Sequence, residues 1–224
     1  MSLHLHRELV ELRKQILSMA TLVEDHIAKG HKALLERDHK LAREVVEADH
    51  EIDELEIKVE EECLKILALH QPVPNDLRLI VSMLKMNNDL ERMGDHAVNL
   101  AKRAEWLAAH DPLDWPPQIN EMAQMVRTMV HQGMDALIQA DAQLAQQVCA
   151  NDDQVDQYKR RLIDLFKERL CKDPQSTETL LKMIDVPRQL ERIADLATNI
   201  CEDIIYMLQG NIIRHHHYIE RKTT

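Results

Sequence analysis

The sequence predicts an all-α protein in which six long helices form two tandem three-helix bundles. Aromatic residues make up only 3% of the 224 residues, and there are just four glycines and seven prolines. Sheets favour aromatic and β-branched residues and need frequent turns, so this composition favours long helices. Hydrophobic residues reach 45%, enough for a continuous core without disulfides or structural metal. An internal repeat, described below, predicts the division into two bundles.

Prolines and two aspartates divide the chain into its predicted helices. The breaks are expected at Pro72, Pro74, Pro112, Pro116, Pro117 and Pro174. Asp38 and Asp141 are the expected N-caps that divide the two long stretches lacking proline. Between these points apolar residues keep helical spacing, as in Leu9, Leu12, Ile16, Met19, Val23 and Ile27. The predicted helices are 4–36, 39–70, 75–109, 117–139, 142–172 and 176–209.

The two halves of the chain repeat one another. A shift of 103 residues gives twelve identities within the 35 positions that begin at Met19, where chance would give roughly two or three. Past Pro72 the shift becomes 100, and it relates the Leu-Glu-Arg of 90–92 to that of 190–192. We therefore expect two copies of one three-helix unit and a short tail, at residues 1–110, 116–213 and 214–224.

Charge and cysteine usage restrict the class of function. The formal net charge of -11 repels phosphate backbones, so nucleic acid is not an expected ligand, and cations or basic protein surfaces are. No window is apolar enough to span a membrane, and no signal peptide is visible. The cysteines are widely spaced and predict buried free thiols in a reducing compartment, hence a cytoplasmic protein: Cys63, Cys149, Cys171 and Cys201. No phosphate-binding loop or nucleophile–base grouping is visible, so we do not expect an enzyme.

Four pairs of acidic residues at i, i+4 spacing recur in both copies of the repeat. Each pair lies on one helix face, where like charges repel. Other acidic pairs are not retained, since Glu56/Glu60 becomes Lys159/Ile163 at the shift of 103. The recurring pairs are Asp49/Asp53, Glu91/Asp95, Asp152/Asp156 and Glu191/Asp195.

The spacing of these pairs predicts two symmetric metal sites. If the second and third helices form an antiparallel hairpin about Pro72, Asp53 lies level with Glu91, and Asp49 lies level with Asp95. The second copy has the same register. Four facing carboxylates repel one another unless a cation lies between them, and oxygen donors suit Mg²⁺, Ca²⁺, Mn²⁺ or iron. Asn99 and Asn199 extend the two stripes by one turn. The alternative is a set of surface acids paired with Arg92, Arg192 or a docking protein.

Histidines offer a weaker indication of metal chemistry. His96 adjoins Asp95 but becomes Leu196 in the second copy, and His215, His216 and His217 lie beyond the last predicted helix. The Glu-x-x-His elements that end at His39 and His50 match those of di-iron bundles, but neither recurs. A ferritin-like di-metal oxidase or a metal-storage bundle is therefore the alternative function.

Three sequence elements together resemble the PhoU family of phosphate-specific transport system accessory proteins. They are Leu-Glu-Arg-Met-Gly-Asp at 90–95 with Asn99, its echo at 190–195 with Asn199, and the turn Gln-Pro-Val-Pro-Asn-Asp-Leu-Arg at 71–78. The resemblance extends over residues 8–213. The echo has Ala194 and Leu196 where the first copy has glycine and histidine, and the second turn lacks the Gln-Pro signature.

The resemblance implies a fold, a role and partners. The fold is two tandem three-helix bundles related by a pseudo-twofold axis, usually as a homodimer. The role is to repress phosphate-starvation (Pho regulon) signalling and phosphate uptake when phosphate is plentiful. The implied partners are a membrane sensor histidine kinase and the ATPase of the phosphate ABC transporter. Family members can hold metal on the acidic stripes, as Fe, Mn, Mg or Zn. Carried over, the ligands are Asp49, Asp53, Glu91, Asp95, Asp152, Asp156, Glu191 and Asp195.

Overall fold

A computed structural model describes residues 3–210, and this part of the chain is almost entirely helical, with no strand. A short 3-10 turn, Pro174–Ser176, precedes the last helix. The α-helices are α1 (Leu3–Glu36), α2 (His39–Ala48), α3 (His50–Leu69), α4 (Pro74–Ala108), α5 (Gln118–Gln139), α6 (Ala142–Ala150), α7 (Asp152–Lys172) and α8 (Thr177–Gln209).

These segments form the six predicted rods, two of which are interrupted by a single residue. Asp49 separates α2 from α3, and Asn151 separates α6 from α7. Both residues keep right-handed helical dihedral angles, so each rod continues past its interruption. The predicted N-caps are confirmed. The Asp38 carboxylate accepts hydrogen bonds from two backbone N–H groups at the start of α2, and Asp141 does the same for α6.

Each half of the chain packs as one bundle. Helices α1, α2, α3 and α4 contact one another in the first bundle, as α5, α6, α7 and α8 do in the second. The apolar residues at helical spacing predicted for α1 are buried, from Leu9 at 6% exposed to Leu12 and Ile16 at 0%. Two of the cysteines do not follow the prediction, because Cys171 is exposed and Cys149 is only half-buried. All four cysteines are free thiols, as predicted.

Two ion pairs join the first bundle to the second, and both connect α4 with α8. Arg103 Nε donates to Asp185 Oδ2 at 2.8 Å, and Lys85 Nζ lies 3.4 Å from Oδ1 of the buried Asp203. At the shift of 100, Lys85 corresponds to Asp185 and Arg103 to Asp203. The two pairs are therefore equivalent in the repeat with their charges exchanged. Both cations lie on α4 and both acids on α8, so the pairs add charge complementarity to the contact between these two helices.

Two buried histidines in α1 should reduce stability in acid. His26 and His31 are 3% and 6% exposed, and each has one ring nitrogen without a hydrogen-bond partner. Burial lowers the pKa of both side chains, and the charge of Arg127 lowers the pKa of His31 further. They therefore bind protons at a lower pH in the folded protein than in the unfolded chain, where protonation begins at about pH 6.5. The free energy of unfolding therefore decreases as the pH is lowered below that value, because the unfolded chain then binds more protons than the folded protein.

The second bundle has methionine at the equivalent positions, 129 and 134. The double variant H26M/H31M should be more stable than wild type, since each buried unsatisfied group costs about 1–3 kcal/mol. The difference in free energy of unfolding between this variant and wild type should increase as the pH is lowered from 7.5 to 5.5. Urea unfolding at both pH values measures this, with H4M at an exposed site as control. An advantage that shrinks as pH falls would contradict the assignment of His26 and His31 as neutral.

No helix in residues 3–210 is long and apolar enough to cross a membrane. The predicted tail 214–224, with its three consecutive histidines, lies outside the described residues. The last three residues of the predicted second unit, 211–213, lie outside them as well.

Candidate functional site

The first acidic cluster lies between α3 and α4. Asp49 is the interruption between α2 and α3, Asp53 follows one turn later, and Glu91 and Asp95 lie in the middle of α4. The antiparallel packing of the two helices brings these four carboxylates close enough to influence one another's pKa values. A close approach of the helices makes this possible, since a Cβ added at Gly94 would lie 3.0 Å from Ile52 Cδ1 and 3.8 Å from Asp49 Oδ1.

Mutual repulsion raises pKa values in this cluster. Burial and the charges of Asp53 and Asp95 raise the pKa of Asp49. Burial and the charges of Asp95 and Asp53 likewise raise the pKa of Glu91. Lys102 and His50 oppose the shift of Asp49 only in part. The cluster is thus a concentration of negative charge at a partly buried place.

A fifth carboxylate, from Glu56, belongs to this cluster and was not predicted. Its charge contributes to the raised pKa of Glu91. Its own pKa is raised by burial and by the charges of Glu60 and Asp53. The sequence contained the signal, because Glu56 lies one turn beyond Asp53 on the same helix. Glu56 was not included in the predicted site because lysine replaces it in the second copy. Among the described residues, none of the five carboxylates forms an ion pair with a lysine, arginine or histidine.

The second acidic cluster lies between α7 and α8 and contains a lysine. Lys159 Nζ donates to Asp156 Oδ1 and to Glu191 Oε1, both at 2.6 Å. Arg160 adds a second contact to Asp156, at 3.1 Å. The hydrogen bond from Lys159 is the main reason that the pKa of Asp156 is lowered. Burial opposes the charge on Lys159, but its hydrogen bonds to both acids outweigh this and raise its pKa.

The other two acids of the second cluster lie further from the lysine. Burial and the charge of Asp156 raise the pKa of Asp152. Burial and the charges of Glu191 and Asp152 raise the pKa of Asp195 to about 6. Because the Asp195 side chain keeps an exposed surface, water screens part of this repulsion. The second cluster is therefore compensated at one end and repulsive at the other.

The neighbouring residues singled out in the sequence do not join the clusters. Arg92 pairs with Asp89 at 3.3 Å, which removes it as the expected partner of the first cluster. His96 hydrogen-bonds to Gln189 across the bundle interface, at 2.8 Å. Asn99 is half-buried and Asn199 exposed.

The donor chemistry of the first cluster suits a hard cation, but the side chains are not gathered into a coordination shell. No group of three or more histidine, cysteine, aspartate or glutamate side chains in residues 3–210 is placed to hold a metal ion. Five carboxylates without a cationic partner would nevertheless gain from a dication between them, although only Asp49, Glu56 and Glu91 are half-buried and the other two are exposed. In the second cluster Lys159 occupies the place between Asp156 and Glu191, so the two clusters are not equivalent.

The histidines of the Glu-x-x-His elements in the di-iron alternative each contact a single other residue. His39 lies 3.1 Å from Glu105. His50 Nδ1 lies 2.8 Å from the backbone oxygen of Glu47. Neither histidine is combined with carboxylates from both halves of the chain, as a di-iron bundle requires.

Comparison with known proteins identifies the family. Residues 16–104 and 119–204 each match the PhoU domain. A relative from Aquifex aeolicus, a phosphate-specific transport system accessory protein PhoU homolog, is 39% identical over 217 residues, which cover 97% of this chain and 98% of the relative. A homolog from Pseudomonas putida is 40% identical over 211 residues, covering 93% and 82%.

Solved structures agree with the sequence comparison. The crystal structure of PhoU from Pseudomonas aeruginosa superposes with a TM-score of 0.90 at 36% identity, covering 92% of this chain and 99% of that one. The phosphate transport system regulatory protein PhoU from Streptococcus pneumoniae gives a TM-score of 0.86 at 30% identity, covering 93% and 98%. Two matched domains, relatives that extend over nearly the whole chain and a shared fold place this chain in the PhoU family.

Proposed function

We propose that this protein represses phosphate-starvation signalling and phosphate uptake when phosphate is plentiful, by acting as an adaptor and not as an enzyme. The observation that carries the proposal is the match of both bundles to the PhoU domain. Relatives with this arrangement are named accessory proteins of phosphate-specific transport systems. An accessory protein of a transporter acts by binding, and the clusters described above lack a nucleophile–base pair.

The proposed partners are a membrane sensor histidine kinase and the ATPase of the phosphate ABC transporter, both met at the cytoplasmic side of the membrane. The formal charge of -11 favours basic docking surfaces on these partners and steers their association. We also propose a homodimer, as the family resemblance implies. Sedimentation equilibrium measures its mass directly.

Metal binding belongs to the proposal at the first cluster. Residues Asp49, Asp53, Glu91 and Asp95, with Glu56 beside them, would hold the ion. A bound dication would supply positive charge that joins α3 to α4. Fe²⁺, Mn²⁺, Mg²⁺ and Zn²⁺ are the candidate ions, and carboxylate donors favour the harder ones. A ferritin-like oxidase is not favoured, because neither His39 nor His50 joins a group of metal-binding side chains within residues 3–210.

Deletion of the gene tests the regulatory proposal. A strain without this protein and without a paralogue should express its phosphate-starvation genes in phosphate-rich medium, because the repressing adaptor is gone. A reporter fused to a starvation promoter measures the effect. Complementation with wild type should restore repression. Normal repression in the deletion strain would contradict the proposal.

A further inference from the structure

We infer that Lys159 is the resident cation of the second acidic cluster, so that this chain has one metal site where its repeat suggests two. The inference deepens the proposed metal binding and rests on it for the first cluster alone. It corrects the sequence-based expectation of twin sites, in which Asp152, Asp156, Glu191 and Asp195 were to hold an ion of their own.

The lysine joins the same two helices that a metal would join. Its ammonium group donates to Asp156 on α7 and to Glu191 on α8, at 2.6 Å in each case. The Lys159 and Glu191 side chains are 21% and 20% exposed, so the contact is largely shielded from water. Charge-assisted hydrogen bonds of this length are about twice as strong as neutral ones. The ammonium thus bridges α7 and α8 without an added ion.

A dication that used all four acids would have to displace this ammonium group before it could bind. Two of the four acids are occupied as hydrogen-bond acceptors, and the positive charge between them repels a second cation at close range. The ammonium group is covalently attached to the chain, so it occupies the site without the loss of translational entropy that a free ion would incur. The formal charge of the second cluster is -2, from four acids with Lys159 and Arg160, against -5 for the five acids of the first.

One position of the repeat accounts for the difference. At the shift of 103 Lys159 corresponds to Glu56, and both side chains are half-buried one turn beyond the second acid of their helix. The sign of the charge at this position therefore decides whether a cluster needs an external cation. Exchanging the residue types should exchange the properties of the clusters.

Counting bound Mn²⁺ tests the inference on the full-length protein. Free Mn²⁺ gives an electron paramagnetic resonance signal that is lost on binding, so a titration gives the number of ions per chain. Wild type should bind one ion, K159E two, and E56K none. K167E is the matched control, since Lys167 is an exposed residue of the same helix, paired with Asp164. It carries the same change in net charge and should bind one ion.

The outcomes separate this inference from the proposed metal binding. Two ions bound to wild type, or no more ions bound to K159E than to K167E, would overturn it. No ion on wild type and one on K159E would remove the proposed first site while supporting the role of Lys159. If circular dichroism shows that K159E does not fold, K159Q keeps the side-chain length without the charge. K159Q should then bind one ion more than wild type, and an unchanged count would overturn the inference.

Discussion

A dication at a hundred times its Kd is expected to stabilise wild type against unfolding by about 2.7 kcal/mol. The reason is that the ion binds the folded first cluster, where burial and repulsion raise the pKa of Asp49 and Glu91, and has no such cluster in the unfolded chain. For a chain of this size each kcal/mol shifts Tm by about 2–4 °C. Thermal unfolding with and without Mn²⁺ measures the gain, after the protein has been freed of metal with a chelator.

The variant E91Q/D95N distinguishes a metal site from a network of salt bridges. It should lose the stabilisation by Mn²⁺, since two of the donors are neutral. Without metal it should be no less stable than wild type, because neutralisation removes repulsion and breaks no ion pair. Arg92, the expected partner in a network, is bound to Asp89 instead. If none of Mg²⁺, Mn²⁺, Fe²⁺ and Zn²⁺ changes the Tm of wild type, and metal-free E91Q/D95N has a lower Tm than metal-free wild type, the metal assignment is wrong.

Replacing Phe166 by alanine should lower the free energy of unfolding by about 3–5 kcal/mol. This residue is fully buried in the second bundle, and its ring meets that of Trp115 edge-on, with centroids 6.2 Å apart. The first bundle has the much smaller Cys63 at the equivalent position. The substitution would therefore leave a cavity in the second bundle, at a position where the first bundle is packed around a small side chain. Urea unfolding followed by circular dichroism measures the loss.

The matched control is L64A, which shortens an apolar side chain on the surface of the first bundle. Leu64 is 55% exposed, so its loss should change stability by less than about 0.5 kcal/mol. A small effect of F166A, comparable with that of L64A, would mean that the second bundle closes around the missing ring.

Helical spacing and the repeat were enough to predict the six rods from the sequence. The apolar positions of α1 are buried because a period of 3.6 residues places them on one face. Asp38 and Asp141 cap helices because a short acidic side chain reaches the free backbone N–H groups beyond it. Such effects act over a few residues, so they can be recognised without knowing the fold.

The sequence also predicted the grouping of the first four acids, because an antiparallel hairpin aligns residues at equal distances from its turn. It missed the part played by Glu56 and Lys159, which differ between the copies and so lacked the signal of recurrence. Which groups a long side chain meets depends on the helix packed opposite. Only the tertiary structure, with α8 beside α7, shows that Lys159 lies between Asp156 and Glu191.

By itself the sequence determined the fold class, the repeat and the family, because these depend on periodicity and on residue types that recur. The tertiary structure decided how the two copies differ and how they join. Lys85 and Asp203 lie far apart in the chain and nothing local relates them, yet they form one of the two ion pairs between α4 and α8. Contacts of this kind arise when two helix faces meet, so they follow from packing geometry that no short segment of the sequence contains.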